Sequence, residues 1–101
     1  MNRLIENIEK WSIDKGLHQV ESSKQALKTF EEVGEVAAAL ARNDMDELKD
    51  GIGDVVVTLI ILAQQNNMSL QDCLEQAYNE IKDRKGKTIN GVFIKESDLN
   101  D

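Results

Sequence analysis

The fold class depends on one apolar stretch, Val55-Val56-Val57-Thr58-Leu59-Ile60-Ile61-Leu62-Ala63. Its β-branched residues are typical of a buried strand. The stretch continues beyond Ala63 without a turn signal, however, and it follows a helix-start pattern formed by Asp44 and Glu47. A lone strand would also have no sheet to join, unless it paired with the C-terminal tail. We therefore predict a helix that begins after Asp44 and ends near Asn66.

The sequence on either side of this helix predicts three more helices. Apolar residues recur at helical spacing in the segments 3–15, 22–42 and 70–85. Ser22 or Ser23 is expected to cap the second helix, and Gly16 and Gly86 are expected to end the first and the fourth. The chain has no proline, which favours long uninterrupted helices. These features predict an all-α fold that is like a four-helix bundle.

The C-terminal end differs from the helical segments. Residues 87–101 contain a turn signal at Asn90-Gly91 and a short apolar patch at 92–94. We expect a short extended tail there, and a single domain over residues 1–101 whose core spans 3–86. Two helical stripes are expected to be buried in that core. They are Ala26, Phe30, Val33, Ala37 and Leu40 on the second helix, and Leu70, Cys73, Leu74, Ala77 and Ile81 on the fourth.

Composition narrows the classes of protein that fit. The 101 residues include 12 Lys and Arg against 19 Asp and Glu, which gives a formal net charge of −7. Such a charge argues against a nucleic-acid-binding protein, because binding DNA or RNA requires a basic surface. The longest apolar run is far shorter than the ~20 residues of a membrane helix. Cys73 has no disulfide partner within the chain, so we expect a cytoplasmic protein without membrane or nucleic-acid partners.

Two acidic clusters occupy the second and third predicted helices. They read Glu31-Glu32-Val33-Gly34-Glu35 and Asp50-Gly51-Ile52-Gly53-Asp54. Residues three or four apart share a helix face, so Glu32 pairs with Glu35 and Asp50 pairs with Asp54. Like charges at this spacing repel each other, and a divalent cation between them removes the repulsion. Two antiparallel helices with such pairs can hold Mg²⁺ or Mn²⁺, which prefer oxygen ligands.

A solvated helix face is the alternative interpretation of these clusters. On the second helix, Glu32 and Glu35 lie largely opposite the predicted apolar stripe, which favours a solvated face. On the third helix, Asp50 and Asp54 lie on the same face as the apolar residues Val57 and Ile61. The segment that follows has apolar residues on nearly every face of the helix. A helix of that kind is enclosed by other elements, here including a partner subunit. An unpaired carboxylate at its edge would be costly, which favours the cation site.

A basic cluster lies at the end of the fourth predicted helix. It comprises Lys82, Arg84, Lys85 and Lys87, with Asn79 one turn before the first of them. Cations near a helix C-terminus are favoured by the helix dipole, which is a purely structural interpretation. The functional interpretation is a set of phosphate-binding side chains, since polyphosphate chemistry uses carboxylates that hold a metal together with nearby cations. Both interpretations are open from the residues alone.

The acidic pattern resembles that of a known family. Glu31-Glu32-x-x-Glu35, a spacer, and x-x-x-Asp54 before an apolar helix resemble the signature of the MazG-like all-α nucleotide pyrophosphohydrolases, and the similarity extends over residues 11–94. The short MazG-like proteins of Gram-positive bacteria and their phages are especially similar. The resemblance implies a helical bundle that assembles as a dimer or a dimer of dimers. It also implies Mg²⁺-dependent hydrolysis of a (deoxy)nucleoside triphosphate to the monophosphate and pyrophosphate, with Mn²⁺ as an alternative metal.

The resemblance also implies roles for the acidic residues. Glu32 and Glu35 would be metal ligands from the second helix, and Asp54 would be a ligand from the third. Glu31 or Glu35 would orient or deprotonate the attacking water. Asp50 would be a further ligand if its shorter side chain reaches the metal.

Substrate contacts are implied for the basic cluster and for one aromatic residue. Asn79 and Lys82 match an element that contacts phosphate or sugar. Lys82 and Arg84 would stabilise the charge on the transferred phosphoryl group, and Lys85 would extend this phosphate-binding set. Trp11 would stack on the base, although filling the core of the first helix is an equally open role.

One position departs from the family pattern. Two glutamates normally precede x-x-Asp, whereas this chain has Asp50 and Gly51 there. Glycine cannot replace a ligand, and Asp50 lies one residue earlier and is one methylene shorter than glutamate. Three outcomes are open: a shifted ligand set, a site with fewer metal ions, or a weakened enzyme. The alternative function is therefore a catalytically weakened module that binds nucleotide or a protein partner.

Overall fold

A computed structural model describes residues 2–99 of the chain, and it is mostly helical, as predicted. The helices are α1 Asn2–Asp14, α2 Ser22–Ala41, α3 Met45–Gln65 and α4 Leu70–Ile81, and a one-turn 3-10 helix spans Leu17–Gln19. A hairpin of β1 Gly86–Ile89 and β2 Val92–Lys95 follows, and then a short helix, α5 Glu96–Leu99. Among residues 2–99, none of the helices is long and apolar enough to cross a membrane.

The chain divides into two compact units, the first ending at Leu70 and the second beginning at Gln71. The single domain over residues 1–101 stays a prediction. Met1, Asn100 and Asp101, the outermost residues of that predicted domain and its tail, lie outside the described residues.

α3 confirms the helix prediction for the apolar stretch. Asp44 caps it, because Oδ1 of its side chain accepts a hydrogen bond from the backbone N–H of Glu47 at 3.1 Å. The helix then runs unbroken for 21 residues. Thr58, Ile60 and Ile61 are buried in its middle, so the apolar stretch supplies the centre of the first unit's core.

α2 and α3 pack against each other through a polar contact near the start of α2. Gln25 Nε2 donates a hydrogen bond to the carbonyl oxygen of Thr58 at 3.0 Å, in a buried position. Thr29 Oγ1 donates to Thr58 Oγ1 at 2.9 Å, and Thr58 Oγ1 donates to the carbonyl oxygen of Val55 at 2.7 Å. Buried polar groups are costly when they are unpaired, so these bonds fix how the two helices are aligned.

The start of α2 differs from the serine cap that the sequence predicts. Glu21 precedes the first helical residue, and no side chain caps the helix N-terminus. Ser22 Oγ instead accepts a hydrogen bond from Asn66 Nδ2 at 3.0 Å, which joins the start of α2 to the end of α3. The predicted end of the first helix is confirmed, because Gly16 adopts the left-handed conformation with φ 72°.

The predicted core stripe of α2 is wrong. Phe30 is 74% exposed and Leu40 is 58% exposed, while the buried residues of α2 are Gln25, Glu32 and Ala39. The face that α2 turns to α3 carries Gln25 and Thr29, which hydrogen-bond to Thr58, together with Val36, which packs against Gly51. An apolar stripe in the sequence shows which face of a helix is favourable to bury. It does not show which helix or subunit packs against that face.

The second unit contains a hairpin that replaces the predicted end of the fourth helix. α4 ends at Ile81, and Gly86 begins β1, where an added Cβ would overlap the carbonyl oxygen of Ile94. The predicted turn is confirmed, since Asn90 and Gly91 both have positive φ, 51° and 80°, as a two-residue hairpin turn requires. The stripe predicted to be buried on α4 is also wrong, because none of the α4 residues is buried.

Candidate active site

A pocket of about 430 Å³ opens in the first unit, beside the helix pair α2 and α3. It combines an aromatic ring, a cation, two carboxylates and an amide with an apolar wall. Trp11 is 48% exposed and lines this pocket, so it does not fill the core of α1. The full lining is Trp11, Leu17, Gln25, Lys28, Glu32, Asp54, Val57, Thr58 and Ile61.

Glu32 is the most buried carboxylate in this pocket, with 8% of the residue exposed. Its Oε1 lies 3.3 Å from Lys28 Nζ, and its Oε2 is buried without a hydrogen-bond partner. A buried carboxylate oxygen without a partner is costly. The solvated interpretation is therefore wrong for Glu32, whereas Glu31 and Glu35 are exposed.

Glu35 lies one helical turn after Glu32, and the charge of Glu32 changes its pKa. The negative charge of Glu32 is the main reason that the pKa of Glu35 is raised above its usual value of 4.5. Hydrogen bonding to Glu32 raises the pKa further, and that bond forms only when Glu35 is protonated. Lys28 acts in the opposite direction, and Asp54 adds a smaller increase. Glu35 thus shares an electrostatic environment with carboxylates on both helices.

Asp54 provides the carboxylate from α3. Burial is the main reason that its pKa is raised above 3.8, and the negative charges of Asp50 and Glu32 raise it further. Lys28 again opposes the increase. The structure therefore brings Glu32, Glu35 and Asp54 close enough to interact, although they come from two helices.

Asp50 lines a different groove. That groove has a volume of about 670 Å³ and runs between α1 and α3, and Asp54 is the carboxylate that lines both the groove and the pocket. Asp50 is exposed and does not line the pocket that holds Glu32. Of Asp50 and Asp54, Asp54 is thus the one that shares the pocket with Glu32 of α2.

The sequence profile of the MazG nucleotide pyrophosphohydrolase domain matches residues 20–89 of this chain. The chain belongs to the MazG nucleotide pyrophosphohydrolase family. The match includes α2, α3, α4 and β1, and with them Glu32, Glu35 and Asp54. Trp11 lies outside the matched residues, so its position beside Glu32 and Asp54 is known from the structure alone.

A phage protein is among the relatives of this MazG chain. It comes from Haemophilus phage HP1 and is described as "Uncharacterized 18.2 kDa protein in rep-hol intergenic region", and it is 45% identical over 71 residues. The match covers 67% of this chain and 42% of the phage protein, so the chain spans less than half the length of that relative. No solved structure matches the chain.

The carboxylates of this pocket suit a divalent metal in their chemistry. Oxygen donors are the ligands that Mg²⁺ prefers, and the unpartnered Oε2 of Glu32 is a donor that already lies in the pocket. Within residues 2–99, no three acidic, histidine or cysteine side chains form a group arranged to hold a metal ion. The donor types therefore fit the metal, and the side chains would have to rotate to surround it.

Gly51, the departure from the MazG pattern, lies where α2 and α3 approach each other. It is buried, and a Cβ added there would lie 3.0 Å from Val36 Cγ2. Such a contact is tighter than ordinary van der Waals packing. The glycine is thus accounted for by close helix packing, and a glutamate at this position would require Val36 to move.

The remaining predicted substrate residues lie in the second unit. Asn79, Lys82, Arg84 and Lys85 are all exposed there. Arg84 lines a small pocket of about 300 Å³ with Ile81 and Phe93. Their role as phosphate ligands stays a prediction.

Three polar residues of the pocket were not predicted from the sequence. They are Gln25, Lys28 and Thr58, which contact Glu32 or join α2 to α3. The position of Lys28 four residues before Glu32 is a signal that could have identified it, since such pairs face each other on a helix. Gln25 and Thr58 gave no signal, because their roles depend on how α2 is aligned on α3.

Proposed function

We propose that this MazG protein hydrolyses the α–β phosphoanhydride of a (deoxy)nucleoside triphosphate, with Mg²⁺ or Mn²⁺, to the monophosphate and pyrophosphate. The observation that carries the proposal is the buried, unpartnered Oε2 of Glu32 in a pocket that it shares with Asp54 and Trp11. Membership of the MazG family supports the reaction class. The pocket supports the proposal because it places an aromatic surface and carboxylates beside one cavity.

Glu32, Glu35 and Asp54 would hold the metal in this proposal, with Asp50 at the edge of the set. A bound divalent cation would supply neutralisation of the polyphosphate charge and polarisation of its oxygens. Glu31 or Glu35, which are exposed, would hold the attacking water and accept its proton as the water oxygen bonds to phosphorus. The P–O bond of the anhydride breaks in the same step, and pyrophosphate leaves.

The base and the phosphates would be bound by different side chains. Trp11 would stack on the base, since its half-exposed ring borders the pocket. Asn79, Lys82, Arg84 and Lys85 would bind the phosphate or sugar groups. The basic cluster would then offset the negative charge that this acidic protein and its substrate bring together.

We further propose that the protein works as a dimer or a dimer of dimers in the cytoplasm. Apolar side chains on the outward face of α2 and α3 are exposed, among them Phe30, Val33, Leu40, Ile52 and Leu59. Large exposed apolar side chains suit an interface between subunits, and a second copy of the chain would cover them. A lone cysteine suits the reducing conditions of the cytoplasm.

The test is a product assay on the purified protein. The four common ribonucleoside triphosphates and the four deoxyribonucleoside triphosphates are incubated with Mg²⁺ and with Mn²⁺, and monophosphate and pyrophosphate are separated by ion-exchange chromatography. We expect equal amounts of the two products from at least one nucleotide, and none in EDTA. Release of orthophosphate in place of pyrophosphate, or no turnover of any nucleotide, would reject the proposed reaction.

A second candidate is a module that binds nucleotide or a protein partner without efficient catalysis. Gly51 favours it, because the family's second glutamate is absent and the packing against Val36 resists restoring it. Calorimetry that detects nucleotide binding in the presence of Mg²⁺, together with an absence of product, would identify this function. Turnover in the product assay would exclude it.

A further inference from the structure

Lys28 is the one cation among the residues that line the pocket. Its Nζ lies 3.3 Å from Glu32 Oε1 and 3.7 Å from Glu31 Oε2. The lysine side chain is 55% exposed, whereas the side chain of Glu32 is 11% exposed. An exposed ammonium group is therefore paired with a carboxylate that is almost entirely buried.

This ammonium group occupies one oxygen of the proposed metal ligand. Two cations on the same carboxylate repel each other, so Lys28 and a divalent metal oppose each other at Glu32. Moving the lysine is inexpensive, because an ion pair with one exposed partner contributes little to stability. Glu32 Oε2, in contrast, has no partner that a metal would have to displace.

We propose that Lys28 is a displaceable counter-cation of this site: in the free protein it neutralises Glu32, and when metal and nucleotide bind it moves to an oxygen of the triphosphate. This inference rests on the proposed function and adds a substrate-positioning residue to it. No bond is made or broken by the lysine, which exchanges one anionic oxygen for another. A lysine suits this exchange because its flexible stem carries three donors that point in any direction.

A plain structural ion pair is the competing explanation, and it makes the opposite prediction about metal. If Lys28 only stabilised Glu32, then removing it would leave metal affinity unchanged or would loosen the carboxylate and lower the affinity. If Lys28 is a counter-cation, then removing it exposes Oε1 and raises the affinity for metal in the absence of nucleotide. The same substitution should lower the affinity for nucleotide once metal is present.

The first measurement titrates Mn²⁺ alone into the full-length protein and follows free Mn²⁺ by electron paramagnetic resonance. We expect Lys28→Met to bind Mn²⁺ about three- to fivefold more tightly than the wild type, as the loss of a modest ion pair would give. Lys28→Gln should behave alike. Lys24→Met is the matched control, because Lys24 is exposed one turn earlier on α2 and does not line the pocket.

The second measurement uses a non-hydrolysable α,β-methylene triphosphate at saturating Mn²⁺, with calorimetry. We expect Lys28→Met to weaken its binding about tenfold, the loss expected for a hydrogen bond between charged groups, and Lys28→Arg to recover part of it. An Mn²⁺ affinity of Lys28→Met that equals or falls below that of Lys24→Met would overturn the proposal. Unchanged nucleotide affinity would overturn it as well.

Failure of this inference can be separated from failure of the proposed function. Glu32→Gln should abolish Mn²⁺ binding if the proposed metal site is correct. If Glu32→Gln loses Mn²⁺ while Lys28→Met does not differ from its control, the metal site stands and the counter-cation is rejected. If the wild type itself binds no Mn²⁺, the metal site and the counter-cation are both rejected.

Discussion

The two faces of α2 reverse the usual arrangement of a helix in a small protein. The inner face, which lies against α3, carries Gln25 and Glu32, which are buried, whereas the outer face carries Phe30, which is 74% exposed. Burying a carboxylate with an unpartnered oxygen lowers the stability of the fold. An exposed phenylalanine does not contribute the stability that burying its ring would give. Each face is therefore incomplete in the single chain. We infer that the inner face is completed by a ligand and the outer face by a second copy.

We expect Glu32 on the inner face to be required for activity and to lower the stability of the fold. The substitution Glu32→Gln tests this and has the largest expected effect. Removing the charge leaves the shape of the side chain, so we expect pyrophosphate release to fall about a hundredfold or more. The melting temperature should rise at the same time, because the neutral amide is less costly to bury. Glu6→Gln, an exposed change on α1, is the control and should alter neither quantity. A variant that loses both activity and stability would mean that Glu32 is needed for folding.

The sequence predicted the helices better than it predicted their faces. The helix over the apolar stretch followed from the cap at Asp44 and from the length of the segment, which are both local signals. The inward face of α2 was not predictable, because the hydrogen bond from Gln25 Nε2 to the carbonyl oxygen of Thr58 joins positions that are distant in sequence. The end of α4 was placed at Gly86, a residue that instead starts a strand against Phe93 and Ile94, since glycine suits both roles.

The candidate site was predicted through a family resemblance more than through the residues alone. The match over residues 20–89 confirms the family, while the roles of Glu32, Glu35 and Asp54 stay predictions. The burial of Glu32 was missed because its neighbours Phe30 and Val33 made a convincing apolar stripe. Lys28 was not predicted to belong to the site, although it lies four residues before Glu32 and therefore faces it on α2.

The outer face should hold copies of the chain together, and Phe30→Glu tests it. A charge at the centre of an apolar interface should weaken association by about thirtyfold or more, as the loss of a central anchor does. Sedimentation equilibrium over a range of protein concentrations measures this. Lys24→Glu on the same helix is the control, because that side chain is exposed outside the apolar face. An unchanged mass for Phe30→Glu would leave the outer face without a role.

The contact between α2 and α3 at Val36 is tested by two glycine substitutions on α3. Gly53→Ala should raise the free energy of unfolding by about 1 kcal/mol, because nothing lies within 4 Å of the added Cβ and alanine favours a helix. Gly51→Ala should gain less or lose stability, because its Cβ would meet Val36 Cγ2 at 3.0 Å. Urea denaturation measures both. Equal gains would show that the helices have room at position 51.

The smallest expected effect is a change in the pH dependence of stability. Raised pKa values mean that folding favours the protonated forms of Glu35 and Asp54, so their charges oppose folding at neutral pH. Glu35→Gln should therefore melt at a slightly higher temperature than the wild type at pH 7. The difference should shrink as the pH falls through the raised pKa of Glu35 and vanish well below 4.5, where Glu35 is protonated in both the folded and the unfolded chain. A difference that persists at pH 3 would have to come from something other than this charge.

The most direct test of the inner face is a crystal structure with Mn²⁺ and the α,β-methylene triphosphate, using the anomalous signal of the metal. The account predicts an Mn²⁺ peak about 2.1 Å from carboxylate oxygens of Glu32 and Asp54. It also predicts that the Lys28 ammonium lies on a phosphate oxygen. An Mn²⁺ site elsewhere in the protein, with Lys28 still paired to Glu32, would contradict it.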